Sequence, residues 1–144
     1  MRRYLVVANQ TLATHQLRQE LLLRAEAGES LFHFIVPNTA TSDYSSDWAG
    51  YEYDDAVEAG TDGARERLKF ALAAVRAAGA CALGALGDPD PLQAVELQVQ
   101  CSNYDEIVVS LLPEKSSRWF QADIPSRIAQ VVQVDVTAIT AKGS

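Results

Sequence analysis

The chain has 144 residues, 48% of them hydrophobic, and a net charge of −7. That length suits a single domain with its own core, and no apolar run approaches the about 18 residues of a membrane-spanning helix. The acidic balance, without a basic patch able to neutralise several phosphates of a duplex, excludes nucleic-acid binding. Seven acids, Asp43, Asp47, Glu52, Asp54, Asp55, Glu58 and Asp62, fall between Thr41 and Asp62 with no Lys or Arg among them. Cys81 and Cys101 lack the paired spacing of a metal site, so both are expected to be small buried hydrophobes.

The start is basic, Met1-Arg2-Arg3-Tyr4, but the apolar run after it breaks at Asn9. It reads as a first strand over 3–8 rather than a signal peptide, and a cytoplasmic location is the expectation. From Thr14 the period changes: Leu17, Leu21 and Ala25 recur at helical spacing, with Thr14 as N-cap and Gly28 as the stop. Residues 30–36 form a second strand, ended by Pro37-Asn38-Thr39. His33 within it is expected to be packed or hydrogen-bonded locally rather than catalytic, and His15 to face solvent.

Residues 40–55 are rich in Ser, Asp and aromatics without a clear period. This is expected to be a surface excursion whose Tyr44, Trp48, Tyr51 and Tyr53 either anchor the loop or belong to a lid or a surface that meets a protein partner. A helix follows, beginning near Ala56 or Thr61 and ending at Ala78. Ala64, Leu68, Ala71, Leu72 and Val75 form its buried stripe, and Gly79 closes it. Residues 80–86 make a third strand of small residues. Asp90-Pro91 then opens a helix marked by Leu92, Val95 and Val99 and ending near Asn103.

Residues 106–112 are a fourth, β-branched strand that opens into Pro113-Glu114-Lys115-Ser116-Ser117-Arg118. Trp119 and Phe120 are placed in a short helical turn, and residues 124–131 in a last helix entered at Asp123 or Ile124 with Pro125 in its first turn. Residues 135–140 are a fifth strand. Strictly alternating strands and helices predict one parallel sheet with helices on both faces, a single α/β domain over 1–144. Its strand ends, at Asn9-Gln10-Thr11, Pro37-Asn38-Thr39, Gly87-Asp88-Pro89-Asp90 and Ser110 to Arg118, are polar or turn-forming. In a parallel sheet those ends share one edge, where ligands of α/β sheets bind.

The element order, with Leu-Val-Val-Ala-Asn-Gln-Thr at the first strand, Gly87-Asp88-Pro89 after the third and Tyr104-Asp-Glu-Ile-Val-Val-Ser110 at the fourth, resembles the universal stress protein family over nearly the whole chain. The resemblance implies a three-layer, adenine-nucleotide-alpha-hydrolase-like sandwich of strand order 3-2-1-4-5. It also implies dimerisation through the last strand and, in one branch, ATP binding. That branch carries Gly-x2-Gly-x9-Gly-Ser/Thr after its fourth strand and Asp at the end of its first. Here the glycine positions hold Ser110, Pro113 and Asp123, Ile124 takes the hydroxyl position, and Asn9 replaces the Asp. Glycines let amides approach phosphate closely, and Pro113 has no amide hydrogen.

The expectation is therefore a non-catalytic regulatory or stress-response module without cofactor or metal, which does not bind ATP in the family's usual way. A homodimer would cover the open edge of the fifth strand. The alternative is a nucleotide or small-anion sensor using Asn9, Ser110, Ser116, Ser117 and Arg118, which supply hydroxyls, an amide and a guanidinium. In the plainer reading, Ser116 or Ser117 caps a helix and Arg118 pairs with Glu114.

Overall fold

Strands and helices alternate along the chain of this computed structural model, which describes residues 1–8, 12, 14–37, 53–87, 91–111 and 123–140, with side chains except at 37, 53–64, 86–87 and 91. The strands are β1 (Arg2–Val7), β2 (Ser30–Pro37), β3 (Cys81–Gly87), β4 (Glu106–Leu111) and β5 (Asp135–Thr140). The helices are α1 (His15–Glu26), α2 (Tyr53–Ala77), α3 (Pro91–Cys101) and α4 (Ile124–Val131). One five-stranded sheet runs in the order β3-β2-β1-β4-β5, and all neighbours are parallel. The expected order 3-2-1-4-5 is the observed one.

The alternation of side chains along each strand builds two cores. Tyr4, Val6, Phe32, Phe34 and Val108 face α1 and α2, where Leu17, Leu21, Leu68 and Val75 meet them. Leu5, Val7, Ile35, Ile107 and Val109 face α3 and α4, against Val95, Ile124 and Ile128. Because both faces are covered, the central strands are apolar on both sides, which is why they read as runs rather than as an alternating pattern. Tyr4 and Phe32 stack at 5.0 Å between centroids.

Local chemistry fixes the helix ends. Thr14 accepts from the Leu17 N–H at 3.5 Å and caps α1. Gly79, at φ 92°, reverses the chain after α2 while its N–H and that of Ala80 return to Arg76 and Val75 carbonyls.

Two expectations are corrected. The helix α2 begins at Tyr53, so the last three residues of the 40–55 excursion, Tyr53, Asp54 and Asp55, are helical. Gly60 and Gly63 each cost about 1 kcal/mol relative to Ala. Once the Ala- and Leu-rich half has nucleated, each added residue gains a hydrogen bond without a new nucleus, and acids in the first turn complement the helix dipole. Secondly, Cys81 and Cys101 are exposed, not buried. Cys81 opens an edge strand and Cys101 is the last residue of α3, so neither position reaches a core. The C-terminal ends of α2 and α3 fall one and two residues short of the predicted Ala78 and Asn103.

Candidate functional site at the carboxyl edge of the sheet

The parallel register brings the carboxyl ends of the strands together. Val7 lies opposite Ile35 and Val109, Ile35 opposite Ala85, Pro37 opposite Gly87 and Leu111 opposite Thr140. The Ala8 N–H reaches the Ile35 carbonyl at 3.4 Å and carries the pairing one residue past β1. The predicted convergence of strand ends on one edge is thus observed.

Ser110 is the ligand candidate that lies within the described residues. It is the penultimate residue of β4, opposite Ile139, and is 1% exposed. It shares the α1/α2 side of the sheet with Val108. Among the described residues its hydroxyl makes no hydrogen bond. A hydroxyl this deeply buried ordinarily has a partner, because an unpaired one costs about 1–3 kcal/mol. Asn9, Ser116, Ser117 and Arg118 lie outside the described residues. So do Asp88, Asp90, Pro113, Glu114, Trp119 and Phe120, and Tyr44, Trp48 and Tyr51 of the aromatic segment. Of that segment, Tyr53 enters the structure as the first residue of α2.

On the far side of the loop, Asp123 stands ahead of α4 with φ 53° and ψ 49°, a left-handed backbone rare outside glycine. Its carbonyl accepts the Arg127 N–H at 3.1 Å, the first turn of the helix, and its side chain makes no cap. Asp123 thus combines a backbone conformation that favours glycine with a carboxylate side chain. That carboxylate sits at a helix N-terminus, where it is itself stabilised and where it repels a phosphate. Pro125 removes one of the free amides of the same turn.

No family model matches the chain, and no curated protein does. Solved structures do match. A protein of the universal stress protein family from Burkholderia pseudomallei superposes with a TM-score of 0.61 at 20% identity, over 95% of this chain and 94% of that one. The chain has the universal stress protein fold. A universal stress protein family protein from Arabidopsis thaliana with AMP bound gives a TM-score of 0.66 at 11% identity, over 99% and 94% of the two chains. The universal stress protein from Archaeoglobus fulgidus in complex with dAMP gives 0.58 at 14%, over 96% and 98%.

Within this stress-protein fold the strongest polar network lies at the opposite, amino end of the sheet. Arg24, in the last turn of α1, donates to Glu106 through Nε at 3.0 Å and Nη2 at 2.9 Å, a bidentate pair joining helix to strand. Thr137 of β5 donates to the same carboxylate, and Glu20 pairs with Arg24 at 3.1 Å. The hydrogen bonds from Arg24 hold the Glu106 carboxyl below the usual carboxylate range against the opposing effect of burial, and the same pair raises Arg24.

His33 hydrogen-bonds the Tyr104 hydroxyl through Nδ1 at 2.8 Å, and Tyr104 donates to Gln98 at 3.4 Å. Burial alone lowers the His33 imidazole and leads the rise of the Tyr104 phenol. The histidine is hydrogen-bonded as expected, but its partner is 71 residues away rather than local. His15 is exposed, as predicted. Among the described residues no three His, Cys, Asp or Glu side chains converge as a metal site. Nor is any helix among them long and apolar enough to cross a membrane.

Proposed function

We propose that this chain acts by binding rather than catalysis, as a cytoplasmic regulatory or stress-response module that does not hold ATP in the manner of the glycine-loop stress proteins. The observation carrying this reading is Asp123, a carboxylate at the N-terminus of α4 in the left-handed position where that loop has glycine. Pro113, without an amide hydrogen, adds to it from the sequence. Incubation with ATP and Mg²⁺ tests the reading. The expected result is neither nucleotide turnover nor a rise in unfolding midpoint. Turnover that survives purification of a folded protein overturns it.

A second reading is favoured by a specific observation. Ser110 holds a fully buried hydroxyl, unpartnered among the described residues, at the edge where the strand ends converge. Solved proteins of this fold carry AMP or dAMP. In this reading Asn9, Ser110, Ser116, Ser117 and Arg118 receive a nucleotide monophosphate or a smaller anion, the guanidinium taking the charge. A thermal-shift screen with AMP, cyclic nucleotides and phosphate decides it. A ligand present at 100 times its Kd adds about 2.7 kcal/mol, or about 8 °C at this chain length. No shift at millimolar concentrations rejects the sensor, and a shift that Arg118→Ala leaves unchanged rejects its site.

We also infer a homodimer through β5. Val136 and Ile139 are half-buried on a strand that, among the described residues, is paired along one side, with β4. An open edge of this kind invites a partner strand. Sedimentation of the intact chain checks it: a monomer at tens of micromolar rules the dimer out.

A further inference from the structure

The other edge of the sheet is β3, whose seven residues Cys81–Gly87 contain no charge and no proline, the usual protections of an edge strand. Among the described residues β3 pairs along one side, with β2, and its two faces differ. On the α3 side, Cys81, Leu83 and Ala85 are exposed, Leu83 by 53%. No described helix covers them, because α3 packs over β2. On the other side lies α2. Its Ala71, Ala74 and Val75 flank turns toward α1, where they line a groove with Leu12 and Leu21. The opposite flank carries Arg65, Lys69 and Arg76 at spacings of four and seven, one stripe of a helix.

That stripe runs along the edge of β3 away from β2, which no described strand covers. Arg76 Nη2 donates to the Ala82 carbonyl at 2.7 Å, which ties one end of the row to the strand. A Cβ on Gly84 would lie 2.6 Å from Leu68 Cδ1, so Leu68 and its neighbour Lys69 are level with the middle of β3. The row from 65 to 76 is about 16 Å long, close to the roughly 20 Å of a seven-residue strand. Lys69 holds Glu66 at 3.8 Å with both side chains 76% exposed, a surface pair that exchanges readily.

A strand laid against β3 would send alternate side chains to these two faces. One set meets the exposed Lys69 and Arg76, which hold Glu66 and the Ala82 carbonyl, the other an uncharged apolar shelf. We propose that β3 accepts, as a sixth strand, an extended segment of a partner protein in which acidic and apolar residues alternate. Main-chain hydrogen bonds along the edge beyond Ala82, whose carbonyl Arg76 holds, supply the attraction, while Lys69 and Arg76 and the Cys81-Leu83-Ala85 shelf supply the choice of sequence and its phase. Charge complementarity selects this occupant: a basic row on a chain of net charge −7 fits an acidic segment.

The probe is a fluorescein-labelled octapeptide alternating glutamate and valine, read by anisotropy against the full chain at low salt. Saturable binding is expected. It should weaken about tenfold when lysine replaces glutamate in the peptide, and about tenfold in Lys69→Glu. N-methylation of alternate peptide residues should abolish it, because it removes the ladder donors. Lys69 is exposed, so Lys69→Glu should keep the wild-type circular dichroism and unfolding midpoint. Leu83→Lys, on the other face, is an independent variant expected to weaken binding as well. Absence of binding overturns the proposal, as does binding that survives N-methylation. So does a concentration-dependent self-association that Leu83→Lys dissolves, which would make the occupant a second copy of this chain.

Discussion

Replacing Arg24 with methionine removes the bidentate partner of Glu106 while keeping the aliphatic stem that packs beside it. The two side chains are 16% and 14% exposed, so Glu106 would keep its charge in a largely dry place with Thr137 as its remaining close donor. Stranding a fully buried charge costs about 3–5 kcal/mol, and an exposed pair contributes less than about 1. This pair lies between those limits, toward the buried one, and about 2–3 kcal/mol is expected. For a chain of this length that lowers the midpoint by roughly 8 °C.

The double variant Arg24→Met, Glu106→Leu should recover most of the loss, because an apolar pair of similar volume carries no stranded charge. Urea unfolding of the four members of the cycle measures the coupling. The pH dependence gives a second readout. The folded-state value of Glu106 is depressed, so its contribution is present above the ordinary carboxylate range and is lost as pH falls through the depressed value. The difference between wild type and Arg24→Met should shrink below that range. A loss under about 0.5 kcal/mol at pH 7, or a difference that grows on acidification, refutes the reasoning.

Three further outcomes follow from the packing. Gly84→Val places a branched side chain where a Cβ alone would sit 2.6 Å from Leu68 Cδ1, and should cost about 2–3 kcal/mol by urea unfolding, whereas Leu68→Ala in the same background should return part of it. His33 should titrate below the usual histidine range by NMR. Since burial depresses it, the folded protein should lose stability as pH falls through that usual range, and Tyr104→Phe should cost about 1 kcal/mol through the lost hydrogen bond. Asp123→Ala should be about 1 kcal/mol less stable than Asp123→Gly, because alanine pays for the left-handed backbone and glycine does not; equal midpoints would mean that the residue relaxes to another conformation.

The layers of this molecule are written in short-range patterns. Runs such as Leu5-Val6-Val7 and Ile107-Val108-Val109, separated by helical stripes, determine a parallel sheet with two cores before any contact is known. What joins the layers is not short-range. Arg24 and Glu106 are 82 residues apart and His33 and Tyr104 are 71 apart, and each reads locally as an ordinary helix cation, strand acid, strand histidine or loop tyrosine. The start of α2 was misplaced for a related reason: two glycines and a run of acids resemble a loop, while the cooperativity that carries a helix through them comes from residues ten positions later. The cysteines were misplaced because average burial says nothing of an edge strand or a final helical residue.

At the carboxyl edge, backbone demand and side-chain chemistry can be told apart at one residue, Asp123. At Asp123 the turn into α4 places a demand for a left-handed backbone, and the carbonyl there accepts the Arg127 N–H. Glycine meets that demand without cost and leaves room for a phosphate. Aspartate meets it at a modest cost, tolerated because its short polar side chain suits this region of φ and ψ. In exchange the helix receives a negative charge at its positive end. In the sensor reading proposed above, the anion would be held by side chains, the buried Ser110 hydroxyl among them. On that proposal a compact anion with one or two charges is favoured over a triphosphate, because the Asp123 carboxylate at the start of α4 opposes added negative charge.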